Sequence, residues 1–324
     1  MPKVLGIGNA LVDIIVTLED DHLLDEFQLP KGSMQLVDRT FSDQILNGTG
    51  SMRKTIASGG SCANTIHGLA SLGVETGFIG KICHDEFGSF FLDDLRAKKI
   101  RPYLFFSPTE TGRAISLVSP DKERTFATFL GAAMELAPEN LVPNLFNGYD
   151  IIHFEGYLVQ NHALLTKAME LARQNQLKIS LDLASYNIVE ENLSFLVNIV
   201  NDYVDILFAN EDEASAFTGL LPRDALETMA RGCDVAVVKM GANGSWIKSS
   251  DAVIPIQSHR VDIRDTTGAG DLYAAGFLYG LVNRLPLDKC GQIASCLAAR
   301  VIETEGAKIP EHKWKEIRKT IEKL

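Results

Sequence analysis

From Tyr149 onward the sequence alternates between short apolar runs and amphipathic stretches, and this alternation constrains the fold more than any other feature. The runs are Tyr149–Phe154, Leu177–Leu183, Val204–Ala209 and Val235–Met240, each the length of a buried strand. Helices are predicted over Ala163–Asn175, Glu211–Thr218 and Ala225–Arg231. In the first of these, Leu164, Leu165, Ala168, Leu171 and Ala172 fall at helical spacing. Strands separated by helices must cross over and return parallel, so the pattern predicts an α/β chain with a mostly parallel sheet covered on both faces. Val4–Gly8 and Gly77–Ile82 extend it as strands, and Ala63–Leu72 and Phe87–Lys98 as helices. All 324 residues are read as one domain.

Two stretches break the alternation. Residues of about 10–40 and 101–130 read as short antiparallel strands joined by turns such as Ser119-Pro120-Asp121. Both could be edge strands of the main sheet, or they could form a small β-sheet lid over its ligand-binding edge, where it would exclude water from a transfer reaction.

Bulk properties exclude several classes of function. The 31 basic and 42 acidic residues leave a formal charge of −11, which argues against a nucleic-acid or anionic-membrane surface. No apolar run approaches the ~20 residues needed to cross a bilayer. The N-terminal run lacks a small-residue cleavage site, so no secretory signal is expected. The five cysteines, Cys62, Cys83, Cys233, Cys290 and Cys296, are odd in number and form no CxxC pair. A disulfide framework or structural zinc site is therefore not expected, and a reducing, cytoplasmic setting fits.

The segment Asp265-Thr-Thr-Gly-Ala-Gly-Asp271 carries the strongest chemical signal. Gly268 and Gly270 allow a sharp turn, and the apolar helix pattern that follows begins at Asp271. A helix start offers unpaired amides and a partial positive charge, which suits a phosphate. Asp271 would be the carboxylate beside that cradle, although a capping role alone would also explain it. Ser58-Gly59-Gly60-Ser-Cys-Ala-Asn64 repeats the theme: paired glycines before a helix, with Asn64 in its first turn able to hold hydroxyls. Gly6-Ile-Gly8-Asn9-Ala-Leu11 approaches the dinucleotide fingerprint, but leucine stands where its third glycine belongs. Asp13, just past the first strand, could bind two sugar hydroxyls or be an ordinary edge-strand acid. Asn210 and Glu213 fit a capping box, or could hold a hydrated Mg2+ near nucleotide phosphates. Lys239-Met-Gly241-Ala-Asn-Gly244 reads as a hairpin turn along which a nucleotide could lie. No G-x-x-x-x-G-K-[ST] occurs, so a P-loop kinase is disfavoured.

In order along the chain, DTTGAGD with the following AGF, SGGSCANTIHGLASLG and NEDE resemble the signatures of the PfkB, or ribokinase-like, carbohydrate kinase family. The resemblance runs from Gly6 to about Gly306. It implies a three-layer α/β/α sandwich with a small β lid, and ATP with Mg2+ as cofactors. It implies Asp271 as base in the catalytic turn with Gly268, Ala269 and Gly270, the amides of Ala269, Gly270 and Asp271 forming the anion hole. Asp13, Gly59, Gly60 and Asn64 would bind the acceptor, and Lys239, Gly241 and Gly244 would line the nucleotide site. A monovalent cation such as K+ is implied near Asp265 and Thr267.

Within the family, GNALVDI and YVDILFANEDEASAF look most like the adenosine-kinase branch, so an adenosine-like nucleoside is the favoured acceptor. Glu155 departs from that branch; an extra carboxylate beside the acceptor could bind another hydroxyl, as in a free-sugar kinase. Met34, Leu36 and Tyr157 could pack on a purine, and Arg113 or Arg124 could bring positive charge from the lid. The rivals are a nicotinamide-dependent oxidoreductase using the Gly6–Gly8 turn and a non-catalytic ligand-binding protein. The partner expected is a small molecule, with the chain a monomer or a lid-mediated homodimer.

Overall fold

A computed structural model describes residues 2–250 and 252–324. Among the described residues fourteen strands form two sheets: β1 (Lys3–Ile7), β2 (Leu11–Thr17), β3 (Met34–Leu36), β4 (Lys54–Gly59), β5 (Glu75–Cys83), β6 (Arg101–Ser107), β7 (Thr111–Val118), β8 (Arg124–Gly131), β9 (Ile151–Glu155), β10 (Lys178–Asp182), β11 (Ile206–Asn210), β12 (Val235–Lys239), β13 (Ser245–Ser249) and β14 (Ala252–Ile256). The large sheet runs β14-β13-β12-β11-β10-β9-β1-β5-β6. From β12 to β6 every neighbour is parallel; β13 and β14 close one edge antiparallel.

The central strands β9 to β12 are mostly apolar along their length because both faces are covered, with polar residues such as Glu155, Asp182, Asn210 and Lys239 at their carboxyl ends. Side chains alternate between two apolar layers. On β11, Ile206 and Phe208 enter one layer and Leu207 and Ala209 the other; on β12, Val235 and Val237 oppose Ala236 and Val238. The helices His162–Gln174, Leu193–Tyr203 and Glu211–Thr218 cover one face. The helices Ser61–Ser71, Ala269–Val282 and Leu287–Ile302 cover the other. The result is a three-layer α/β/α sandwich with a mostly parallel central sheet, the architecture that the resemblance implies.

The smaller sheet runs β3-β8-β7-β2-β4. On β2, Val12, Ile14 and Val16 are buried in the core while Asp13 and Ile15 point to the opposite, half-open face. The sequence expectation for this sheet needs correction in three places. β6 lies in the large sheet beside β5, so only part of residues 101–130 belongs to the small sheet. The reason is the helix Glu86–Ala97 between β5 and β6, which makes them a parallel crossover pair. Residues 10–40 are not a run of antiparallel strands: the helix His22–Glu26 intervenes, β2 pairs parallel with β7, and β3 pairs parallel with β8. β4 and the helix Arg39–Gly48 complete the region and carried no clear periodic signal.

Candidate active site

In a parallel sheet every strand ends on the same edge, and ligands bind in the crevice beyond those carboxyl ends. Here Asn9 follows β1, Glu155 ends β9, Asp182 ends β10, Asn210 ends β11 and Lys239 ends β12. All five line one cavity of about 660 Å³, within the range that holds a small organic ligand. The small sheet forms its opposite wall with Asp13, Met34, Leu36 and Phe126.

Two helices begin at this cavity, Ser61–Ser71 and Ala269–Val282. They approach closely because Gly68 faces Ala275; a β-carbon at Gly68 would stand 2.7 Å from the Ala275 Cβ. That contact brings the two first turns together. Ser61 Oγ donates to Asp271 Oδ1 at 2.7 Å, Asn64 Nδ2 donates to Oδ2 at 2.9 Å, and Thr65 Oγ1 donates to the Asp271 carbonyl at 3.1 Å. The Asp271 carboxyl is thus oriented by two donors. Burial raises its pKa to about 6, with Ser61, Asn64 and Lys239 opposing and Asp182 adding to the rise.

Both helix starts depend on glycines. Gly268 has φ +77°, and an added β-carbon would lie 2.7 Å from Ala307. Gly60 has φ +96°, and its β-carbon would press into the Asn9 carbonyl. Gly270 and Asp271, second and third in their helix, have amides with no intrahelical carbonyl to reach. The Ala269 amide instead donates to the Thr266 carbonyl at 3.2 Å, so the cradle rests mainly on the other two.

Lys239 completes the cradle. Its Nζ donates to Asp182 Oδ2 at 2.7 Å, and a β-carbon at Gly270 would stand 3.2 Å from it. Burial alone would lower the ammonium pKa, but Asp182 and Glu213 outweigh it and hold the pKa above its ordinary value. Asp182 and Ser61 escaped the sequence reading. The signal for Asp182 was its place at a strand's carboxyl end; Ser61 resembled any polar residue in a first helical turn.

The remaining predicted residues divide into those facing the cavity and those committed elsewhere. Asp13 lines the cavity above Gly59, which leaves room for its carboxyl, and burial raises its pKa to about 7 against the pull of Lys308. Thr267 and Gly241 also line the cavity. Glu155 reaches the cavity wall but is only 1% exposed, and its oxygens accept from Asn9 N, Asn9 Nδ2 and Cys62 N at 2.9, 2.6 and 2.8 Å. It fastens the β1 turn to a helix start rather than presenting a free carboxylate. Glu213 and Asn210 form the capping box, with Asn210 N and Nδ2 each donating to Glu213 at 2.7 Å. Gly244 stays in its turn against Ile256, outside the cavity lining. Arg113 points away: its guanidinium is held by Ser42 and Asp43 and lies over Phe129. Arg124 pairs with Asp265 instead of lining the cavity. The Gly6–Gly8 turn leads into β2, a strand, whereas a dinucleotide fingerprint must open a helix.

Among the described residues no helix is long and apolar enough to cross a membrane. Residues 43–314 match the model of the pfkB family carbohydrate kinases. A probable sugar kinase from Rhizobium etli CFN 42 superimposes with a TM-score of 0.91 at 31% identity, over 99% of each chain. An adenosine kinase from Sinorhizobium meliloti gives 0.90 at 32% identity, over 98% of this chain and 99% of that one. A nucleoside kinase from Methanocaldococcus jannaschii is 27% identical over the full length of this chain and 98% of its own. The signature turn, the amide cradle and these likenesses converge: this chain belongs to the pfkB family of carbohydrate kinases and is a phosphotransferase acting on a sugar or nucleoside.

Proposed function

We propose that the chain transfers the γ-phosphoryl group of MgATP to the primary hydroxyl of an adenosine-like nucleoside, with Asp271 as the base. The observation that carries this reading is the Asp271 carboxyl, oriented by Ser61 and Asn64 at the same helix start whose Gly270 and Asp271 amides have no intrahelical carbonyl to reach. Asp271 takes the hydroxyl proton, the acceptor oxygen bonds to the γ-phosphorus, and the bond from that phosphorus to the ADP oxygen breaks. The amides and Lys239 face the charge on the transferring group, and fixed donors of this kind contribute a factor of roughly 10²–10³ each. A carboxylate of ordinary basicity suffices because little proton transfer is needed until late in the reaction.

Among the described residues no cluster of three or more His, Cys, Asp or Glu has metal-holding geometry. The acidic edge at Asp212, with Glu213 and Asp182 behind it committed to Asn210 and Lys239, suits a hydrated Mg2+ that arrives with the nucleotide and is touched only through water. When bound, the ion neutralises phosphate charge.

A nucleoside is favoured over a free sugar by the small-sheet wall. Met34 and Leu36 are 41% and 51% exposed and, with Phe126, Leu130 and Tyr157, line the cavity that also holds Asp13. An apolar strip beside a hydroxyl-binding acid suits a base attached to a ribose. The likeness to the Sinorhizobium meliloti adenosine kinase supports the same choice.

The test is ADP release over a panel of adenosine, other nucleosides, ribose and fructose. Adenosine or a close relative should give the highest kcat/KM. A higher value for ribose or fructose would move the assignment to a free-sugar kinase, and no turnover with any acceptor would overturn it.

A further inference from the structure

The resemblance implies a monovalent cation near Asp265 and Thr267, but the Asp265 carboxylate already has partners of its own. The Asp265 side chain is 1% exposed. Its Oδ1 accepts from Thr267 N at 3.0 Å, and its Oδ2 accepts from Arg124 Nη2 at 2.6 Å and from Gly306 N. Both oxygens are therefore engaged, and the charge opposite them is a guanidinium. The Arg124 side chain is itself only 11% exposed, and its Nη1 donates to Ser116 Oγ at 3.1 Å on the neighbouring strand.

We propose that Arg124 is the resident cation of the Asp265 carboxylate, replacing a free monovalent ion and tying the small sheet to the turn that presents the amide cradle. Arg124 opens β8 in the small sheet, whereas Asp265 is anchored to the end of the helix Leu287–Ile302 by Arg264 N and Asp265 N, which donate to the Ile302 carbonyl at 2.8 and 3.2 Å. The pair thus ties the small sheet to the helix layer packed beneath it. A carboxylate this buried requires a positive partner; removing one member of such a pair leaves an uncompensated charge and is strongly destabilising. The turn can hold its shape without potassium only while β8 is in place, so the position of the small sheet and the order of the cradle are coupled. Arg124 acts as a positioning residue, and its role concerns the free chain whatever the acceptor.

Hydrogen–deuterium exchange of the full chain without nucleotide tests this, with peptides covering residues 264–271 read in potassium chloride and in tetramethylammonium chloride at matched ionic strength. Wild-type exchange should be the same in both salts. In Arg124→Ala, exchange there should accelerate about tenfold or more in tetramethylammonium, as expected when a local opening loses its closing contact, and potassium should recover part of the protection. Arg124→Lys keeps the charge without the planar fork and serves as the second variant if the alanine form does not fold; it should show the same potassium-dependent recovery on a smaller scale. Potassium slowing exchange in the wild type would overturn the proposal, as would variants that exchange like the wild type or that open with no response to potassium. None of these readings requires turnover, so they remain separate from the success or failure of the kinase assignment.

Discussion

The two sheets meet at one cavity but are built on different terms. Along β9 to β12 the large sheet is buried on both faces, and its carboxyl edge holds Glu155, Asp182, Asn210 and Lys239 through short, mutually satisfied contacts. The small sheet gives one face to the core and leaves the other half open, so Asp13, Met34 and Leu36 meet the cavity with few partners of their own. Under the proposed function the difference is a division of labour: the rigid edge and the two helix starts would hold the groups that must not move, and the thinner sheet would present those that choose the acceptor. A chain can change acceptor on such a scaffold by altering side chains whose loss does not threaten the core.

Substitutions on either side of the cavity should therefore fail in different ways. Asp271→Asn, on the helix side, should lower kcat by about 10³-fold while leaving ATP binding and the melting temperature nearly unchanged, measured by ADP release and calorimetry. Asp13→Asn, on the small sheet, should raise the acceptor KM by about 10- to 100-fold with a smaller change in kcat, the size expected for a lost hydrogen bond to a charged group. A collapse of kcat alone in that variant would erase the distinction between the two walls. Asp182→Asn releases Lys239 from its 2.7 Å partner and should cost about tenfold in kcat with the acceptor KM unmoved. Leu36→Ser should be mildest, raising the KM for a nucleoside by roughly threefold and leaving that for ribose unchanged, because a half-exposed apolar contact is worth somewhat less than one fully buried methylene, about 0.8 kcal/mol.

The same division explains what was legible in the sequence. The helix Glu211–Thr218 was predicted to the residue because its capping box and periodicity agree locally. The DTTGAGD turn was legible because glycine is demanded where φ is +77°, and the demand is written in the residue type. The small sheet was read poorly because its order depends on partners distant in sequence: β2 lies parallel to β7, about a hundred residues away, and nothing local encodes that. The commitment of Glu155 to Asn9 and Cys62 was likewise invisible, since a carboxylate facing ligand and one facing backbone amides are the same letter. Arg113 and Arg124 were expected to bring positive charge to the transferring group; both lie in the small sheet, but carboxylates from elsewhere in the chain, Asp43 and Asp265, hold them outside the cavity.

The claim on which the account rests is that an ionised carboxylate at position 271 receives the acceptor's proton. Its most direct test is the pH dependence of kcat with both substrates saturating, so that binding by Asp13 does not limit the rate. Burial raises the Asp271 pKa to about 6, and the base must be unprotonated; kcat should therefore hold steady above that value and fall tenfold per unit of pH below it, with the midpoint at or somewhat above 6 once the anionic nucleotide is bound. A kcat that stays level from about pH 8 down to about pH 5 would contradict the account.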